Sequence, residues 1–454
     1  MDFARRGTAL LFAVWCGLCV LALNCFAQGS AGGAGGAGGA EASSWQSEWR
    51  AATAARASGD WSGARVHLLR VRDLLGEAPG VSYALARSAA RLGERDEALA
   101  RLADYAKSGL TRDALTDPDF AGLLGDSAFV SLVTRILENS RPVEHAVVAH
   151  TFADTNALIE DVAHDPKRGR FFGTSIVRGV VYEVASSGAE RVFAKSPHGP
   201  SRGLYAAAVD ARRELLWVSE AATPTCEGWA EADTHRTGLV AFALADGRVT
   251  RHVDLVPDGG PHLFGDLCVG PDGTVYVTDG PAGALLCLRP GATALETIVP
   301  SGVFGGPQAP ALSPDGRKLY VADYGRGIAI VDLKTRAVSW LAYPPGIGLQ
   351  GTDGLTAIPG ALIVVQNGVR PLRVMRFELD AAGTRVTGQS VVESGTERLG
   401  EPTHGVVVGN DYVFLANTGW DRVGADQKLA AKPEAKPAQL LRVPLTASRP
   451  RGKD

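Results

Sequence analysis

Six short stretches decide the fold: Phe172-Gly-Thr-Ser175, Trp217-Val-Ser-Glu220, Tyr276-Val-Thr-Asp279, Tyr320-Val-Ala-Asp323, Val364-Val-Gln-Asn367 and Phe414-Leu-Ala-Asn417. They share one register, and their starts are separated by 45, 59, 44, 44 and 50 residues. Upstream of each lies another apolar run, usually joined through a tight turn such as Pro271-Asp-Gly273, Pro314-Asp-Gly316, Pro359-Gly360 or Gly409-Asn-Asp411. Turn residues between two β-rich runs signal a hairpin. A third strand follows each pair, for example Gly327-Ile-Ala-Ile-Val-Asp-Leu333. Strand groups at this spacing mark a β-propeller, because one four-stranded blade cannot bury both faces alone and a closed ring of blades can. The register predicts an all-β six-bladed propeller over residues 143–448. A seventh blade would require residues 143–152 to stand alone. That segment reads instead as an outer strand closing the ring with the last blade.

Upstream, residues 45–140 change to a helical period, with Ala and Gly where helices would pack and turn. Ala55-x-x-x-Gly59-Asp60-Trp61-x-x-Ala64 resembles the tetratricopeptide repeat, and about two repeats can be counted. Phe120 and Phe129 fall in what resembles the tail closing such helical segments. Residues 28–44 are largely Gly, Ala and Ser and predict a flexible linker. Residues 1–27 read as a cleaved signal peptide, with Arg5 and Arg6 before the apolar run Thr8 to Leu23 and a small residue at Ala27. Export to the periplasm or the exterior of a bacterial cell follows, with an uncleaved or lipidated anchor as the lesser alternative. No integral membrane domain is expected after leader removal.

The composition is that of an ordinary globular protein, 45% hydrophobic and 21% charged, with a formal net charge of −3. Nothing in that balance favours nucleic acid. Cys226, Cys268 and Cys287 remain once the leader is gone. Buried free thiols are the expected state, with a Cys226 bridge as the alternative. No P-loop or H-E-x-x-H pattern occurs.

Propeller inner strands line a central channel, so polar residues at their starts converge there. They carry Glu160-Asp161, Gly265-Asp266, Gln308-Ala309, Asp353-Gly354 and Thr403-His404. Carboxylate and amide oxygens meeting on one axis suit a hard divalent cation. Such an ion polarises a carbonyl or lowers the pKa of a bound water, leaving a nearby carboxylate as base. The polar residues ending the six stretches are read mainly as strand caps.

At these residues the chain resembles the family of senescence-marker protein (regucalcin), gluconolactonase and luciferin-regenerating enzyme, over about Ile159 to Leu445. In that family a Glu, two Asn and an Asp surround one divalent metal, and the Asp is general base in lactone hydrolysis. The resemblance puts the Glu on Glu160 and the Asp on Asp353, and the asparagines on Gly265 and Gln308. It implies one divalent cation (Ca, Mg, Mn or Zn) on Glu160, Gln308 and Asp353, no organic cofactor, and Asp353 as catalytic residue. Gln366, Asn367, His404 and Asn417 are the expected substrate-binding groups. The other histidines rank lower, and His198, His235 and His252 read as loop or surface positions. The implied function is a metal-dependent hydrolase of lactones or small esters. The alternative is a non-catalytic binding or scaffold protein whose helical repeats hold a protein or peptide partner.

Overall fold

The computed structural model describes residues 44–430, 432 and 434–445; the expected leader and all of the linker except Ser44 lie outside them. Four helices come first: α1 (Trp45–Ala57), α2 (Trp61–Leu75), α3 (Pro79–Arg91) and α4 (Arg95–Lys107), followed by a 3-10 turn and α5 (Ser127–Glu138). Local chemistry sets their ends. Ser44 and Asp60 accept backbone N–H groups at the starts of α1 and α2, and Pro79 sits at the first turn of α3, each satisfying or removing an otherwise orphaned donor. Tyr83, Ala86, Ala98 and Leu102 form the helical core, and Phe120 and Phe129 complete it.

The rest is a ring of six four-stranded antiparallel sheets. Blades 1 to 5 span residues 159–195, 203–254, 264–299, 307–340 and 352–394 in simple up-and-down order. Blade 6 takes its three inner strands from residues 405–444 and its outermost strand, Val147–Thr151, from before blade 1. Val147–Thr151 pairs with Gln439–Pro444, so the two ends of the propeller segment hold the ring shut. The six stretches that opened the reading are the second strands. Cys226, Cys268 and Cys287 are free.

One irregularity recurs. In blades 1 to 5 the pairing between the innermost and second strands slips near its start, between Ile159 and Val162, Leu204 and Ala207, Phe264 and Leu267, Pro307 and Pro310, and Thr352 and Leu355. A bulge re-aims side chains that strict alternation would send to opposite faces. Each bulge brackets two consecutive residues, and in blades 1, 3, 4 and 5 these are the inner-strand pairs read from the sequence. Hydroxyls hold the bulges: Thr174, Ser219 and Thr278 accept the N–H of Asp161, Ala206 and Asp266 at 3.1, 2.9 and 3.3 Å. Ser219 donates onward to the Gly265 carbonyl at 2.6 Å, and Thr403 closes the circle by donating to the Glu160 carbonyl at 2.6 Å.

The helices dock on the end of the propeller where the innermost strands begin. Trp45 packs on Gly325, Pro79 on Gly348 and Lys107 on Gly346, all in loops of blades 4 and 5 at that end. Thr111 donates its N–H to the Arg370 carbonyl at 2.8 Å, and Tyr343 donates to the Leu75 carbonyl at 3.1 Å. Among the described residues no helix is long and apolar enough to cross a membrane.

Candidate functional site

The bulges deliver Glu160 and Asp161 from blade 1, Asp266 from blade 3 and Asp353 from blade 5. His404 comes from the start of blade 6. All five are buried. One ligating atom each of Asp266, Asp353 and His404 lies within 4.8 Å of the others. His404 Nε2 is 3.2 Å from Asp266 Oδ1 and 3.9 Å from Asp353 Oδ1, yet this buried nitrogen makes no hydrogen bond.

Burial pushes the carboxyl groups of Glu160, Asp161, Asp266 and Asp353 upward, Asp266 to about 7, and the charge of His404 opposes the rise in all four. For Glu160 the negative charge of Asp353 adds to the rise. Burial lowers His404, but Asp266 and then the other three carboxylates outweigh it and lift the imidazole to about 10. One imidazolium therefore faces four buried carboxyl groups. That donor set fits a divalent cation, which would supply the positive charge the cluster lacks.

Asp353 is held by Asn367. Asn367 Nδ2 donates to its Oδ2 at 2.5 Å and to the Pro402 carbonyl at 3.1 Å, and Tyr324 donates to Asn367 Oδ1 at 3.0 Å. Glu160 lies outside the three-residue ligand set, and its Oε2 accepts from Trp420 Nε1. Gln308 occupies the blade 4 bulge and is buried.

Two expected substrate contacts are corrected. Gln366 Nε2 donates to the Gly348 and Gln350 carbonyls at 2.9 and 2.8 Å, while its Oε1 accepts from Arg373 at 2.7 Å, so its polar atoms are spent beneath the helices. Asn417 adopts φ 56 and donates to the Pro437 carbonyl at 2.8 Å, in the segment before the strand Gln439–Pro444. Of the other second-strand ends, Ser175, Asp279 and Asp323 bond the loops before the innermost strands, as caps do.

The sequence reading placed Asp161 and Asp266 at inner-strand starts but gave them no role, because the family resemblance puts its ligand positions on Glu160 and Gly265 beside them. It also missed Glu401, whose carboxyl is raised to about 7 by burial and then by Asp353. Glu401 stands three residues before His404, in Glu401-Pro-Thr-His404, which is the one signal that could have found it. Gly265 leaves room rather than a ligand: a Cβ built there meets nothing within 4 Å.

A pH dependence follows. Raised carboxyl groups favour the fold fully below their unfolded values near 4, and that contribution is lost as pH rises through Asp266's value of about 7. The raised imidazole has the same sign, its contribution being complete below about 6.5 and lost through about 10. The metal-free chain should therefore lose stability steadily from pH 5 to 10, and a bound divalent ion should flatten the slope. Urea titrations at several pH values, with and without chelator, check this; stability rising with pH in chelator contradicts it.

No protein-family model matches the chain, and no curated protein matches it. Solved structures similar to it include a gluconolactonase from Xanthomonas campestris, 17% identical over 67% of this chain and 99% of that one, TM-score 0.44. A luciferin-regenerating enzyme is 13% identical over 68% of this chain and 97% of that one, TM-score 0.46. The PQQ-bound aldose sugar dehydrogenase from Streptomyces coelicolor is 15% identical over 67% and 99%, TM-score 0.45. Likeness at this level says nothing of substrate or reaction.

Proposed function

We propose that this chain is an exported, divalent-metal-dependent hydrolase of lactones or small esters, with its site at the channel mouth. The observation that carries the reading is the buried cluster of Asp266, Asp353 and His404, where His404 Nε2 lacks a hydrogen bond and carboxyl groups outnumber basic groups. These three residues would hold the cation, with Glu160 beside them. The ion would supply polarisation of the ester carbonyl.

The remaining chemistry belongs to the chain. Asp353, fixed by Asn367 and Tyr324, takes the proton from the attacking water as the new C–O bond forms. Glu160, whose carboxyl burial and then the charge of Asp353 push upward, gives a proton to the leaving oxygen as the old C–O bond breaks. Proton return from Asp353 to Glu160 restores the starting state. Residues 1–27 support export by their composition. The helices dock on loops of blades 4 and 5 at the same end as the site, and we assign the substrate's approach to Gly265 in blade 3, where a Cβ would meet nothing within 4 Å.

Gly265→Leu should then raise KM for a lactone at least severalfold, since its side chain would fill the space that a Cβ there finds empty within 4 Å. Unchanged KM would mean substrate enters elsewhere. The reading as a whole is tested by metal analysis of the purified chain and by turnover of a lactone and ester panel after loading with Ca²⁺, Mg²⁺, Mn²⁺ or Zn²⁺. No bound ion together with no turnover sinks it.

A further inference from the structure

A second cluster stands apart from the channel, at the same end of blade 2. His198 lies in the connection from blade 1, Glu220 ends the second strand Leu215–Ala221, and His252 belongs to the outermost strand Val249–Asp254. Glu220 is fully buried, while the two imidazoles keep about a quarter to a third of their surface exposed, 31% and 26%. Both reach the same oxygen: Glu220 Oε1 is 2.9 Å from His198 Nδ1 and 3.0 Å from His252 Nε2. The ring centroids are 4.8 Å apart.

Hydrogen bonding explains only half of this. His252 Nε2 bonds Glu220 Oε1, but His198 Nδ1 is buried and makes no hydrogen bond despite its 2.9 Å approach. Its ring nitrogen therefore points beside the oxygen rather than at it. Two groups aimed at a common third point show that relation, as ligands of one ion do. For a tetrahedral ion at about 2.0 Å, neighbouring ligand atoms stand roughly 3.3 Å apart, close to the separations observed. The remaining contacts orient the carboxylate. Ser196 donates to Glu220 Oε2 at 2.9 Å, and buried Arg202 bridges Glu220 Oε1 and Asp254 Oδ1 at 2.9 and 2.5 Å. Groups that orient a ligand in this way commonly surround metal sites.

We propose that His198, Glu220 and His252 form a second metal site, independent of the channel. Two imidazoles and one carboxylate select a borderline transition ion such as Zn²⁺ or Co²⁺ over Ca²⁺ or Mg²⁺. Asp254, 3.3 Å from His252 Nε2, is placed to join as a further oxygen. The ion would tie the outermost strand of blade 2 to the connection from blade 1, two segments that no strand pairing joins directly.

The test uses the full chain without affinity histidines, stripped by chelator and titrated with Zn²⁺ and Co²⁺. Wild type should bind one more Zn²⁺ per chain than H198A/H252A, and Zn²⁺ should raise the unfolding midpoint of wild type more than that of the double variant. D353N should keep this ion, which separates the result from the fate of the channel site. Equal stoichiometry in wild type and double variant would overturn the proposal and leave a hydrogen-bonded clasp. If the double variant does not fold, imidazole ¹⁵N spectra decide: Zn²⁺ should shift His198 and His252 in D353N and wild type alike, whatever His404 does, and no shift of these two overturns the site.

Discussion

Asp353→Asn should reduce kcat/KM for lactone or ester hydrolysis by about a thousandfold, within the range that positioned acid–base groups contribute. That corresponds to about 4 kcal/mol of transition-state stabilisation. The substitution keeps the shape of the side chain and removes its ability to accept a proton. It also removes one ionisable group from a cluster where burial already drives the carboxyl upward. The variant should therefore be inactive when loaded with metal and, metal-free, at least as stable as wild type at pH 8. This pairing of opposite effects marks a functional carboxylate, because a structural one would lose stability on substitution. Retained turnover in Asp353→Asn would end the hydrolase reading at this residue. A loss of activity accompanied by a large loss of stability would instead assign Asp353 to the scaffold.

The second large effect concerns the joint between the two parts of the chain. Among the described residues Arg373 is the largest fully buried side chain, 1% exposed. Its Nε donates to Gln366 at 2.7 Å, and a terminal nitrogen donates to the Ser108 carbonyl at the end of α4 at 2.9 Å. Arg373→Met fills much of the same volume but leaves both buried acceptors without this donor. Hydrogen bonds to a charged group are worth about 1.5–3 kcal/mol each, so the variant should lose about 3–5 kcal/mol. The loss should fall on the interface, so the helices should become protease-sensitive around residues 107–114 before the ring unfolds. A single cooperative transition at the wild-type midpoint would show that the joint does not depend on Arg373.

The architecture was legible because its signals are local and repeated. A strand ending in a polar residue, a turn and a second strand recur in Tyr276–Asp279, Tyr320–Asp323 and their equivalents, and periodicity of that kind needs no long-range information. The closing strand could be placed for the same reason: an apolar run without turn partners has to pair with the blade that lacks one. The candidate site was legible only in part. Asp353 and His404 stand where the inner-strand starts put them, and Asn367 meets Asp353 from the neighbouring strand. Gln366 was misassigned because its place one residue before Asn367 gives no hint that Arg373 and the blade 5 loops consume it. Asn417 shares the register of Asn367, but its left-handed backbone turns the amide towards Pro437 instead.

His198 and His252 show the limit most clearly. Read singly, each is an exposed histidine in a loop or outer strand, and Glu220 between them is one more polar strand end. Periodicity along the chain could establish the number of blades, the closure of the ring and the end at which polar residues gather, since each depends on spacing. Which of those residues share a site depended on the bulges that turn two consecutive side chains into the channel, and on loops that bring residues 198, 220 and 252 to one oxygen. Those are distances across strands, and they exist only once the chain has closed on itself.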